Sequence, residues 1–315
     1  MRIMRTLAFS IALLGAALWA NAAPKGPELF SSASATWTRL DTVTGGGTSF
    51  GLPAGAAVTR IEGYTETLYG ENTVFAGTGS AEATYGVLHA RGELTLTNGQ
   101  DPLINPAKIP YLYQAAGAAY FLDITVFTDP SMAPGVTVLG SQDMSFTISG
   151  TSSSSATDPI VTHSAGLDLV VSYLSNHGAL GGSSFGQVLA LPVAGVPGLY
   201  KTETPIPVAY TRDGDPATSS ELTVQLFANA VVQNGTANIA DPTRALLFDA
   251  AASADYDHTV VLDGFELYDD NSLLVPDAGV SAASGTSYAI LPEPTTLAML
   301  ALGGMAMLRR RRRQA

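Results

Sequence analysis

Tyr120-Phe121-Leu122-Asp123-Ile124-Thr125-Val126-Phe127 alternates, setting Tyr120, Leu122, Ile124 and Val126 on one side of an extended chain and Phe121, Asp123, Thr125 and Phe127 on the other. Successive strand side chains point to opposite faces, so period two marks a strand with one face buried. The pattern recurs in both directions. Met144, Phe146 and Ile148 alternate with Asp143, Ser145 and Thr147, and Leu94 and Leu96 alternate with Glu93, Thr95 and Thr97. Leu222, Val224 and Leu226 repeat it, and Val260 and Leu262 lead past Gly264 to Phe265 and Leu267. Asn98-Gly99, Pro134-Gly135, Pro197-Gly198, Asp213-Gly214 and Asn234-Gly235 supply turn chemistry between such runs. The best helix candidate, Pro106 to Ala119, is interrupted by Pro110 and Gly117. Many short strands and no long amphipathic helix predict an all-β fold, an antiparallel β-sandwich of immunoglobulin-like or jelly-roll type.

The sandwich is expected over residues 24–290. Gly150-Thr151-Ser152-Ser153-Ser154-Ser155-Ala156 is polar and of linker composition. It is either a seam near 150–157 dividing two sandwiches, 24–150 and 158–290, or a loop within one domain; the second is favoured. No internal repeat stands out.

Both ends carry processing signals. Arg2 and Arg5 precede the apolar run Leu7 to Trp19, and Ala20-Asn21-Ala22 offers small residues for cleavage. This is the pattern of a signal peptide over residues 1–22, cut after Ala22 or at the neighbouring Ala23. At the other end, over 291–315, Pro292-Glu293-Pro294 leads into the 14-residue apolar stretch Thr295 to Leu308, and Arg309, Arg310, Arg311, Arg312 and Arg313 follow. As a short hydrophobic helix that stretch spans about 21 Å, against a bilayer core of about 30 Å. Arginine snorkelling and local thinning let so short a segment pause in a membrane, with the arginines held on the cytoplasmic side.

Pro292-Glu293-Pro294, a short apolar helix and an arginine cluster, in that order at the C-terminus, resemble the PEP-CTERM sorting signal of Gram-negative bacteria. The resemblance covers about 23 of 315 residues. It implies an exosortase substrate in an exopolysaccharide-producing bacterium. The implied processing partners are signal peptidase and exosortase, with transient inner-membrane contact, a final place at the cell surface or outside it, and exopolysaccharide as a neighbour. A sortase signal, Leu-Pro-x-Thr-Gly, fits less well, because Pro294 and Thr295 occupy its last two positions. Gly303-Gly304 lies inside the apolar stretch, not ahead of it. Ala81 to Leu88, with Tyr85-Gly86-Val87-Leu88, and Ala254 to Leu262, with Asp255-Tyr256-Asp257-His258-Thr259, loosely resemble segments of other exported proteins with this tail.

Export changes the charge balance. The whole chain has 15 basic and 27 acidic residues, a net charge of −12. Without the seven arginines and Glu293 of the two ends, 8 basic and 26 acidic residues remain, a net charge of −18. Such a surface excludes a general nucleic-acid role, which needs cations against phosphate, and opposes adsorption to anionic lipid. The absence of cysteine excludes disulfides, thiol catalysis and cysteine metal sites.

The search for chemistry yields no catalytic residue, metal site or cofactor site. His89, His163, His177 and His258 show no ligand spacing. Ser183-Ser184 after Gly181-Gly182 lacks an evident base and is read as a loop, and no Gly-x-Ser-x-Gly elbow occurs. Asp213-Gly214-Asp215 spaces oxygens as calcium loops do, but the rest of such a loop is missing, so a turn is favoured. Three classes follow: a structural or adhesive surface protein, expected first; a carbohydrate-binding module, with Tyr64, Tyr69, Tyr85, Tyr111 and Tyr113 as its platform; and, last, a secreted hydrolase.

Overall fold

The computed structural model describes residues 26–39, 45–53, 57–68, 73–100, 111–157, 161–233 and 247–291. Pro292, Glu293, Pro294, the arginine cluster, Ala20 and Ala22 lie outside them. Fourteen strands belong to one hydrogen-bonded sheet. They are β1 (Glu28–Arg39), β2 (Gly45–Pro53), β3 (Ala57–Leu68), β4 (Thr73–Thr84), β5 (Val87–Gln100), β6 (Tyr111–Thr128) and β7 (Thr137–Ala156). β8 (Thr162–Asn176), β9 (Ser183–Pro192), β10 (Leu199–Thr202), β11 (Ile206–Thr211), β12 (Ser220–Gln233), β13 (Leu247–Tyr268) and β14 (Gly279–Ala282) complete them.

The all-β expectation holds, and the sheet closes on itself. The ladder runs β6-β12-β8-β9-β10-β7, and β11 joins β7 back to β6 through Tyr210 and Thr211, making a seven-strand barrel. Closure leaves the ring no free edge to pair with another chain. Of the two sides alternating around Phe121, the mixed one faces inward, leaving Tyr120, Ile124 and Val126 half-buried: Phe121 and Phe127 meet Leu222, Val224, Leu226, Leu169, Val171, Met144 and Phe146 in one buried cluster. Phe127 and Phe265 touch edge to face at 5.4 Å.

Further strands extend from the barrel. β1 and β2 continue from β6, while β13, β5, β4 and β3 continue from β7. The extensions face one another, with β1, β6 and β12 against β4, β5 and β13. A second cluster fills this space, including Phe75, Leu94, Leu96, Tyr113, Val232 and Phe248. The layers come close because small residues line them. Gly117 of β6 lies against the Ser80 and Arg91 backbone, and Gly92 of β5 against that of Ala115.

Two local expectations change. Tyr111–Ala119, the latter part of the helix candidate, lies in β6, because Tyr113, Ala115, Gly117 and Ala119 are buried alternately; residues 106–110 are outside the described set. The serine run is the end of β7, where Thr151 to Ala156 pair with Asp255 to Ala250 of β13. Thr151 to Ser155 are exposed, so the ladder asks only for backbone hydrogen bonds there, and serine satisfies that as well as an apolar residue would.

Candidate functional site

One end of the barrel is lined by hydroxyls. Thr125, Ser220, Ser175 and Ser184 stand opposite one another on the adjacent strands β6, β12, β8 and β9. Period two turns all four the same way as the buried Val171 and Leu222. The first three are fully buried. They are satisfied locally, since Ser220 Oγ donates to Ser175 Oγ at 2.8 Å and Thr125 Oγ1 to the Ser220 carbonyl at 3.3 Å.

The row ends in a serine–histidine contact. β8 and β9 form a hairpin around one 3₁₀ turn, Gly178–Leu180. Gly181 and Gly182 adopt positive φ of 73° and 84° to complete the reversal. Folding the hairpin sets Ser184 Oγ 2.9 Å from His177 Nε2. For the serine to donate, the ring must carry its proton on Nδ1. A hydrolytic triad orients that N–H with a carboxylate, and no described residue hydrogen-bonds to it. The geometry is that of a nucleophile and base without their orienting third member. Sequence reading missed His177 as a partner, although alternating strands around a glycine-rich turn are the signal that brings two such positions together.

Two buried carboxylates anchor other parts of the fold, Asp123 two residues along β6 from Thr125 and Glu266 on β13. Glu266, 4% exposed, receives Lys201 Nζ at 2.7 and 2.8 Å and the Tyr268 hydroxyl at 2.6 Å. Neighbouring Asp143 is lifted above the ordinary carboxylate value by burial, against the lowering pull of Lys201 and the Thr202 hydroxyl. Asp123, 1% exposed, receives the Ser284 hydroxyl, the Tyr288 hydroxyl and two backbone N–H groups. Burial first, then Asp123, raises the Tyr288 phenol, which keeps it a donor. These are closed networks, well suited to holding elements together.

The remaining sequence candidates scatter. His89 lies in β5, and His163 in β8 meets Ser154 at 2.9 Å. His258 falls within the β13 register shift between Tyr256 and Val260, and its side chain is outside the described set. Asp215 caps a short 3₁₀ turn by accepting from Ala217 N at 2.8 Å, which is turn chemistry. Among the described residues no group of three His, Asp or Glu side chains is placed to hold a metal ion. Of the five tyrosines read as a platform, two have side chains in the described set. Tyr113 is fully buried, Tyr85 leans edge-on against Phe121, and the side chains of Tyr64, Tyr69 and Tyr111 are outside the described set. Phe185 of β9, by contrast, is 82% exposed. No helix of the described residues is long and apolar enough to cross a membrane.

Fold and site therefore define an all-β chain with a closed barrel and a short serine–histidine contact at its mouth. No family model, curated protein or solved structure matches it.

Proposed function

We propose that the chain is an exported surface or extracellular-matrix protein with a structural or adhesive role, sorted by an exosortase through its C-terminal tail. The observation that carries this reading is the tail itself: Pro292-Glu293-Pro294, Thr295 to Leu308, and Arg309 to Arg313 in unbroken order. The signal peptide over 1–22 agrees with it. The facing layers beside the barrel are read as a sandwich-like body over 24–290. The charge of −18 left after the ends are removed keeps such a body soluble and apart from anionic surfaces. No turnover is assigned to the His177–Ser184 pair, because it has no orienting carboxylate among the described residues. The test is mass spectrometry of the protein recovered from producing cells. A chain lacking peptides that span Pro294 to Arg310 is expected, and an intact tail in most molecules would sink the reading.

A second reading, glycan binding, is favoured by one surface. Phe185 is exposed on the outward face of β9, and Gln187 on the same face donates to Ser172 Oγ at 3.1 Å. An open ring beside an amide and a hydroxyl suits a sugar that stacks and hydrogen-bonds. Phe185→Ala should then lower retention on the host's polysaccharide; equal retention would remove this reading.

A further inference from the structure

We propose that a clasp built on Asp123 sets where the mature chain ends. The inference rests on the processing reading above and names the residues that would limit it. After β14 pairs with Thr125–Thr128 of β6, Ala283 N donates to the Ile124 carbonyl at 2.8 Å. Asp123 then takes hold from the buried side. Its Oδ1 accepts the Ser284 N–H at 3.1 Å, and its Oδ2 accepts the Ser284 hydroxyl at 2.5 Å and the Tyr288 hydroxyl at 2.9 Å. The Tyr288 ring stands edge-on to Phe265 at 5.5 Å.

The segment next joins β13. Phe265 N donates to the Ala289 carbonyl at 2.9 Å, and Leu291 N donates to the Phe265 carbonyl at 2.7 Å. Gly264, at φ 155°, makes room, since any side chain there would strike the Ala289 carbonyl. The backbone is thus tied to the body repeatedly from Gly279 to Leu291, and Pro292 follows immediately. A protease needs a peptide it can draw out of the fold, so cleavage in a docked segment waits on local opening. The clasp withholds the bonds of residues 279–291 from a protease. The fold therefore limits trimming on the body side, whatever the protease prefers in sequence.

The test compares the full chain with its Ser284→Ala/Tyr288→Phe variant. The variant removes two hydroxyl donors but keeps the aromatic ring, Asp123 and its backbone donors; Tyr288→Phe alone serves if the pair does not fold. The purified proteins are digested with proteinase K and their C-termini are read by mass spectrometry. Trimming of the parent should stop at or beyond Leu291, while the variant is cut within 283–291 at least tenfold faster at unchanged circular dichroism. Equal rates, or ready cutting of the parent within 279–290, would overturn the clasp. In producing cells a mature end at or beyond Leu291 supports it, and an end within 279–290 overturns it. A chain intact to Ala315 in cells overturns the processing reading instead, and the proteinase K arm then decides the clasp by itself.

Discussion

The closest approach between the facing layers is the most exacting place to test the fold. A methyl group at Gly117 would lie 2.7 and 2.8 Å from the Arg91 carbonyl oxygen and amide nitrogen, and nearer still to the Ser80 carbonyl. Ordinary contact begins at 3.4 Å and the Ser80 carbonyl oxygen would lie at 2.0 Å, so Gly117→Ala must move β4 by about 1.4 Å and β5 by about 0.7 Å. The obstacle is backbone on two adjacent strands, β4 and β5, and no side-chain rotation relieves it. A gap of about 0.5–1 Å already forfeits about a quarter to a half of the dispersion well for each facing atom pair, and the one at Ser80 is wider. Overpacking of this kind costs about 1–3 kcal/mol, and the lower entropy of the unfolded alanine chain returns about 0.4–1 kcal/mol. The net expectation is a loss of about 1–2 kcal/mol, or roughly 2–8 °C in Tm for a chain of this size class. Gly166→Ala in β8 is the control, because nothing lies within 4 Å of its added methyl; it should be neutral or stabilised by up to about 1 kcal/mol. Urea unfolding followed by circular dichroism measures both. If the two variants unfold at the same urea concentration, the layers are not in the contact described.

Lys201→Met strands the buried Glu266 carboxylate with only the Tyr268 hydroxyl and should cost about 3 kcal/mol in urea unfolding; a loss under about 0.5 kcal/mol would mean that water reaches Glu266. Asp143 gives a pH signature. Its native pKa is raised above the unfolded value of 3.8, so its unfavourable contribution is absent below that value and grows as pH rises through the native one. Asp143→Asn should therefore gain on the parent as pH rises above 3.8, and parallel stability curves would refute the assignment. Ser184 should not react with a fluorophosphonate probe, because His177 lacks an orienting carboxylate among the described residues; labelling of Ser184 that disappears in His177→Ala would reinstate the hydrolase class.

Strand content was legible because alternation is local. Met144, Phe146, Leu222, Val224 and Leu226 needed only their immediate neighbours to declare a buried face, and all are buried; around Phe121 the alternation marked a strand, but the apolar side Tyr120, Ile124 and Val126 is only half-buried while Phe121, Asp123, Thr125 and Phe127 face inward. Closure was not legible. It depends on the six-residue β11, which pairs with β7 over its whole length and touches β6 at Tyr210 and Thr211 alone. Nothing in Ile206-Pro207-Val208-Ala209-Tyr210-Thr211 distinguishes a strand that bridges two distant partners from an ordinary edge. The β6 helix candidate misled for a related reason. Alanine and glycine at 115–119 have low intrinsic strand preference, yet their small size is what lets two backbones meet. Tertiary contact overrode propensity there.

The candidate sites divide along the same line of sequence distance. His177 and Ser184 are seven positions apart, within reach of a hairpin argument that joins alternating strands across glycines. Asp123 lies 161 positions from Ser284 and 165 from Tyr288, and a lone aspartate in an apolar strand looks the same in sequence whether it is paired or faces solvent. Burial changes its meaning. A carboxylate 1% exposed on an inward face is costly unless donors surround it, so its presence calls for partners from elsewhere in the chain. Those partners come from the segment that ends at Leu291, directly before Pro292-Glu293-Pro294. That placement gives the buried charge a consequence beyond stability: weakening it loosens the junction between the folded body and the tail, a junction that a purely apolar contact would hold with less positional definition.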